Sequence, residues 1–154
     1  MVVLLLFFHS QVYEVLKLLN ELYLLQLEIK MLNRCWIRNS VLVNSPSLLQ
    51  KFGMDILPLL IQVVNSGANL YVCYGCLSII NKLVYFSKSD MLLELLKNTN
   101  ISSFLAGVFT RKDQHVLLVA LHIAEMILQK LSDIFLSSFI KEGVLFAIDA
   151  LSFK

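Results

Sequence analysis

Apolar residues recur along this chain at helical spacing, and the arrangement is written again about 44 residues further on. The clearest run is Leu117, Ala120, Leu121, Ala124, Ile127, Leu128 and Leu131, with Glu125, Gln129 and Lys130 on the other side. That pattern predicts an amphipathic helix of about four turns. Its earlier counterpart lies over 70–86, matching Val72 to Val116, Leu77 to Leu121, Ile80 to Ala124 and Leu83 to Ile127. A shorter amphipathic helix is predicted after each, over 90–97 and 133–141. Ser89-Asp90 and Ser132-Asp133 offer side-chain oxygens to the first N–H groups of those shorter helices, and Gly143 suits the stop after the second.

A third helix completes each unit, near 56–65, 100–110 and 143–152. Leu57, Leu60, Ile61 and Val64 correspond to Ile101, Phe104, Leu105 and Val108, and again to Val144, Ala147, Ile148 and Leu151. Pro58 falls in the expected first turn of the first of these, where a missing N–H costs little. A period in the forties that contains only helical patterns is the signature of armadillo or HEAT-like repeats. The expected fold is therefore all-α, a right-handed helical solenoid of about two and a half repeats, each unit burying its apolar face on the next.

Four stretches follow from this register: an unassigned apolar leader at 1–10, partial repeat helices at 11–32, an irregular insertion at 33–44, and armadillo-like repeats over 45–154. Leu16, Leu19, Asn20 and Leu22 echo Leu77, Ile80, Asn81 and Leu83 at a wider offset, which lengthens the connection after residue 23. Arg34, Trp36 and Arg38 sit where the period fades.

Composition adds a tension. Hydrophobic residues make up 58% of the chain and the mean hydropathy is +0.75, above the roughly 45–50% typical of soluble domains. Either lipid or neighbouring protein should cover the excess. A small helical membrane protein is the alternative reading, because 56–81 carries no charged residue and exceeds the roughly 20 residues of a spanning helix. Asn65-Ser66-Gly67-Ala68-Asn69 argues against it, since a turn at bilayer depth would strand backbone polar groups. The second copy places Arg111-Lys112-Asp113 at the same turn, which fits a loop facing water.

Thirteen basic and eleven acidic residues leave a net charge of +2, and only Arg111 and Lys112 adjoin among the cations. Nucleic-acid binding needs clustered cations and is not expected. Residues 1–8 lack the basic start and cleavage site of a signal peptide. Three cysteines, an odd number, then favour reduced thiols and a cytoplasmic or nuclear setting.

Cys73-Tyr74-Gly75-Cys76 is the one motif with a catalytic or metal-binding cast. No second pair completes four ligands, and both cysteines lie in a predicted helix whose second copy carries Leu117 and Ala120, so they read as small core residues. His115 and His122 stand two turns apart, too far for one metal ion without a third ligand. Acidic residues come singly, and no Gly-rich phosphate loop appears. No catalytic residue, cofactor or metal is therefore expected. The remaining candidate is a binding surface: Gln62, Ala106 and Asp149 follow the core pair on successive third helices and would line one concave face.

Residues 65–78 and 100–109, with Phe139-Ile140-Lys141-Glu142-Gly143-Val144, are similar to the armadillo region of the KAKTUS-type plant HECT ubiquitin-protein ligases. The resemblance runs over about 45–151; 11–22 also fits it, whereas 1–10 and 23–44 do not. It implies a region that holds protein substrates, joined in the family to a HECT domain whose cysteine carries ubiquitin as a thioester. Cys35, Cys73 and Cys76 match no HECT motif, so the resemblance carries no catalytic residue here. It implies a non-catalytic fragment or truncated paralogue that binds a substrate or adaptor and stacks on neighbouring repeats or on itself.

Overall fold

The computed structural model describes residues 45–152, which form six helices and, among the described residues, no strand. They are α1 (Pro46–Asn65), α2 (Leu70–Phe86), α3 (Ser89–Leu96), α4 (Ile101–Phe109), α5 (Gln114–Lys141) and α6 (Val144–Ser152). The expected leader, partial repeat helices and insertion at 1–44 lie outside the described residues.

Helix starts follow local chemistry. Asn69, Asn100 and Asp113 each turn a side-chain oxygen back onto the N–H three residues on, at 3.0, 3.3 and 3.0 Å. The caps expected of Ser89-Asp90 and Ser132-Asp133 do not form. At α3 the residue with extended dihedrals is Lys88, so Ser89 is already helical and cannot reach back over the first turn. Asp90 still places a carboxylate in that turn, where the helix dipole favours it. In α5 the helix breaks at a single non-helical residue, Leu131 (φ −138°, ψ 39°), and a second helical stretch follows it over the expected 133–141, with Ser132 already inside that stretch. Glycines end α1 and α5: Gly67 and Gly143 adopt φ of 81° and 78°, backbone that L side chains resist.

α1 corrects a second expectation. Nothing interrupts it before residue 56, so Pro58 lies in its interior rather than in a first turn. The Met54 carbonyl consequently has no N–H four residues later to accept from. Both residues are exposed, so water can satisfy that carbonyl. Gly53, also mid-helix, is buried where α1 crosses Leu95; a Cβ there would lie 2.8 Å from Leu95 Cδ2.

A continuous core extends from Leu49 to Val144. α1 packs on α2 and α3, α2 on α5, and α4 on both α5 and α6. Leu60, Leu77, Ile80, Leu105, Ile123, Ile127 and Phe139 are sealed from solvent. The 56–81 stretch is no single rod: it is broken by the turn at Ser66–Asn69. Among the described residues, two helices do have the length and apolar character to cross a membrane, α1 with 20 residues and the kinked α5 with 28.

Candidate partner-binding surface

The three residues of the expected concave face fall on α1, α4 and α6. Gln62 and Asp149 are exposed, whereas Ala106 is half-buried against the core and offers no polar group. α4 and α6 are packed neighbours, while α1 rests chiefly on α2 and α3. Ala106 and Asp149 thus sit on adjoining helices.

The C-x-x-C pair is fully buried and unbridged. Cys73 donates from Sγ to the Ala68 carbonyl at 3.2 Å and receives Arg111 Nη1 at 3.2 Å. Burial, and then the neighbouring Cys73, push the Cys76 thiol up to about 12, the opposite of what a nucleophile requires. Among the described residues no three His, Cys, Asp or Glu side chains gather as a metal site. His122 donates from its ring to Asn81 Oδ1 at 3.0 Å, linking α5 to α2. His115 lines a shallow apolar hollow of about 500 Å3 with Leu70, Tyr71, Tyr74 and Asp113.

Sequence reasoning missed the contacts that fix one long helix on the next. Arg111 Nη2 donates to the Val64 carbonyl in the last turn of α1 at 2.8 Å. Lys130, expected on a solvated face, turns inward and donates to the carbonyls of Val84, Tyr85 and Ser87 at 2.6, 2.7 and 2.8 Å. These are the orphan acceptors at the end of α2, so the second long helix caps the first. Partial burial pulls the Lys130 pKa below its usual value, because desolvation penalises the charged ammonium. Ser102 and Ser138 share a further 2.7 Å bond between α4 and α5. No sequence period marks such pairs.

α5 and α6 also carry exposed apolar side chains. Leu118, Ile140 and Phe146 are 63, 61 and 80% exposed. A cavity of about 740 Å3 opens where the end of α4, the start of α5 and Leu151 of α6 converge, with Leu117, Leu118 and Leu121 on its wall.

No family model matches the chain, and no solved structure matches it. Curated proteins do. The chain is 58% identical over 142 residues to E3 ubiquitin-protein ligase UPL4 of Arabidopsis thaliana, covering 92% of this chain and 9% of the ligase. It is 48% identical over 114 residues to UPL3 of the same plant, covering 74% of the chain and 6% of that ligase. Similarity to TRIP12 of Danio rerio, also an E3 ubiquitin-protein ligase, is 30% over 115 residues, or 75% of the chain and 6% of that protein. The 142-residue match is longer than 45–151, so kinship extends further than the resemblance read from the residues alone. The chain is thus homologous to one segment of the plant HECT-type E3 ubiquitin-protein ligases of the UPL4 and UPL3 kind, a segment spanning less than a tenth of their length.

Proposed function

We propose that this chain is a non-catalytic, armadillo-like scaffold of the cytoplasm or nucleus, derived from a HECT-type ligase and holding a protein substrate or adaptor for ubiquitination. The observation that carries this reading is pairing in register. Units of about 44 residues offset set α2 against α5 and α4 against α6, so these two pairs of equivalent helices are neighbours, as stacking of repeats requires, whereas α1 rests chiefly on α2 and α3 rather than on its equivalent α4. On this reading α2, α3 and α4 form one unit. α5 before its kink, α5 after it and α6 form the next, and α1 supplies the end of a preceding one.

A thioester-forming role is a poor fit for the described cysteines, which lie at 0% exposure. Partner recognition falls to the helix faces, with Gln62, Ala106 and Asp149 as the candidate ladder, and the open apolar end favours self-association or stacking of further repeats. In a plant extract, the immobilised chain should retain a protein that is ubiquitinated in the presence of the full-length relative, and Gln62→Arg with Asp149→Arg should release it. Formation of a reductant-sensitive ubiquitin adduct on Cys73 or Cys76 would refute the non-catalytic assignment.

A further inference from the structure

The shallow hollow between the starts of α2 and α5 is lined by Leu70, Tyr71, Tyr74, Asp113 and His115. Tyr71 and Tyr74 stand one turn apart on α2 and are 62 and 44% exposed. Two large rings left at a surface need a reason, and packing of the repeat does not supply one. One unit later, His115 and Leu118 occupy their places. Both walls, α2 and α5, already pack on each other, so a further unit stacked at either end of the array does not fill the hollow. Charge is sorted around it. Arg111 and Lys112 line the larger cavity rather than this one, and the Arg111 fork is held by the Val64 carbonyl and Cys73 Sγ. Asp113 brings a carboxylate to the hollow, fixed in place because Oδ1 accepts from the Val116 N–H at 3.0 Å. Asn69 makes the same cap on α2 without a charge, so capping alone does not call for an acid here.

We infer that this hollow binds a lysine side chain from a basic segment of a partner protein, its ammonium set against the tyrosine faces and the Asp113 carboxylate and its aliphatic stem against Leu70. Charge complementarity selects the occupant. The electron-rich faces of aromatic rings attract a cation, a carboxylate beside them adds to the attraction, and an acidic segment would be repelled by Asp113. Lysine fits better than arginine. A guanidinium fork is best served by both oxygens of a carboxylate, and Oδ1 is already committed to the cap, whereas an ammonium is a compact point charge. The surface uses none of Gln62, Ala106 or Asp149, so it lies beyond the ladder proposed above and does not rest on it.

A Gly-Ser-Lys-Ala-Lys-Ser-Gly peptide, titrated into the full chain and followed by the nuclear magnetic resonance signals of the Tyr71 and Tyr74 rings, tests the site. Saturable shifts are expected, with binding weakened roughly tenfold when norleucine replaces both lysines, a change that keeps the stem and removes the charge. Tyr74→Leu and Asp113→Asn should each weaken binding about threefold. Both install the residue that the other unit carries at that position, Leu118 and Asn69, so an unaltered thermal melt is expected alongside. Glu94→Gln removes an acid on α3, outside the hollow, and should leave the titration unchanged. Equal binding of the norleucine peptide means apolar docking only and overturns the inference. An equal loss with Glu94→Gln means diffuse attraction between charges and overturns it too. So do tighter binding of the arginine version, indifference to both Tyr74→Leu and Asp113→Asn, and the absence of any saturable shift. Capture of a substrate through Gln62 and Asp149 is measured separately, so failure here leaves the scaffold reading standing.

Discussion

Arg111 reaches across 47 positions of sequence to place Nη2 2.8 Å from the carbonyl oxygen of Val64. The bond ties the loop before α5 to the last turn of α1, while Nη1 of the same fork meets Cys73 Sγ at 3.2 Å. Arg111→Ala should lower unfolding free energy by about 1–3 kcal/mol, because the carbonyl loses a charged donor. Arg111→Lys should restore only part of it, since one ammonium cannot serve two acceptors set apart for a planar fork. Urea denaturation followed by circular dichroism measures both; equal stability of all three chains would contradict the bond's importance.

Lys130→Met keeps the length of the side chain and removes the donors to Val84, Tyr85 and Ser87. A loss of about 1–3 kcal/mol is expected near neutral pH. Burial depresses the folded-state pKa of Lys130, so the unfolded state holds this proton more tightly. This group's contribution therefore rises as pH climbs from the depressed value toward about 10.4, the unfolded value. The deficit of Lys130→Met against the parent should accordingly widen in alkaline buffers.

Cys76 acts with the opposite sign. Its folded-state pKa is raised from 9.0 to about 12, so its stabilising contribution is complete below 9.0 and declines as pH rises toward 12. Cys76→Ala should melt lower than the parent at pH 7, by about 1 kcal/mol for the lost buried atom. The gap should narrow between pH 9 and 11, because only the parent has the Cys76 thiol to ionise on unfolding. A constant gap across that range would show that Cys76 does not ionise differently in the two states.

Glycines in two helices should respond in opposite directions. Gly107→Ala meets nothing within 4 Å and should gain about 0.5–1 kcal/mol from helix propensity. Gly53→Val must displace Leu95, and with Leu83 Cδ2 also 3.4 Å from the added Cβ it should cost about 2 kcal/mol. Thermal melts of the two variants, one above and one below the parent, check the close approach of α1 to α3.

Periodicity disclosed most of the helices because burial here is striped: the Leu117 to Leu131 run reads as helix from sequence, and its buried members face α2 and α4. Boundaries were less legible. Ser89 looks like a cap and is not one, since the neighbouring Lys88 adopts the extended conformation. Pro58 looks like a beginning and lies mid-helix, since its lost bond falls on an exposed turn. Arg111 and Lys130 could not be found at all, because a cation seeking a distant carbonyl leaves no spacing behind.

Arg111 grips at the first turn of α2 and Lys130 at its last. Two anchorages define a direction where one would leave a pivot, so α5 can neither swivel over α2 nor slide along it without breaking one of them. A tug at either tip of the pair is therefore felt as torque along its whole length, and a long assembly jointed in this manner would behave as a spring rather than a string.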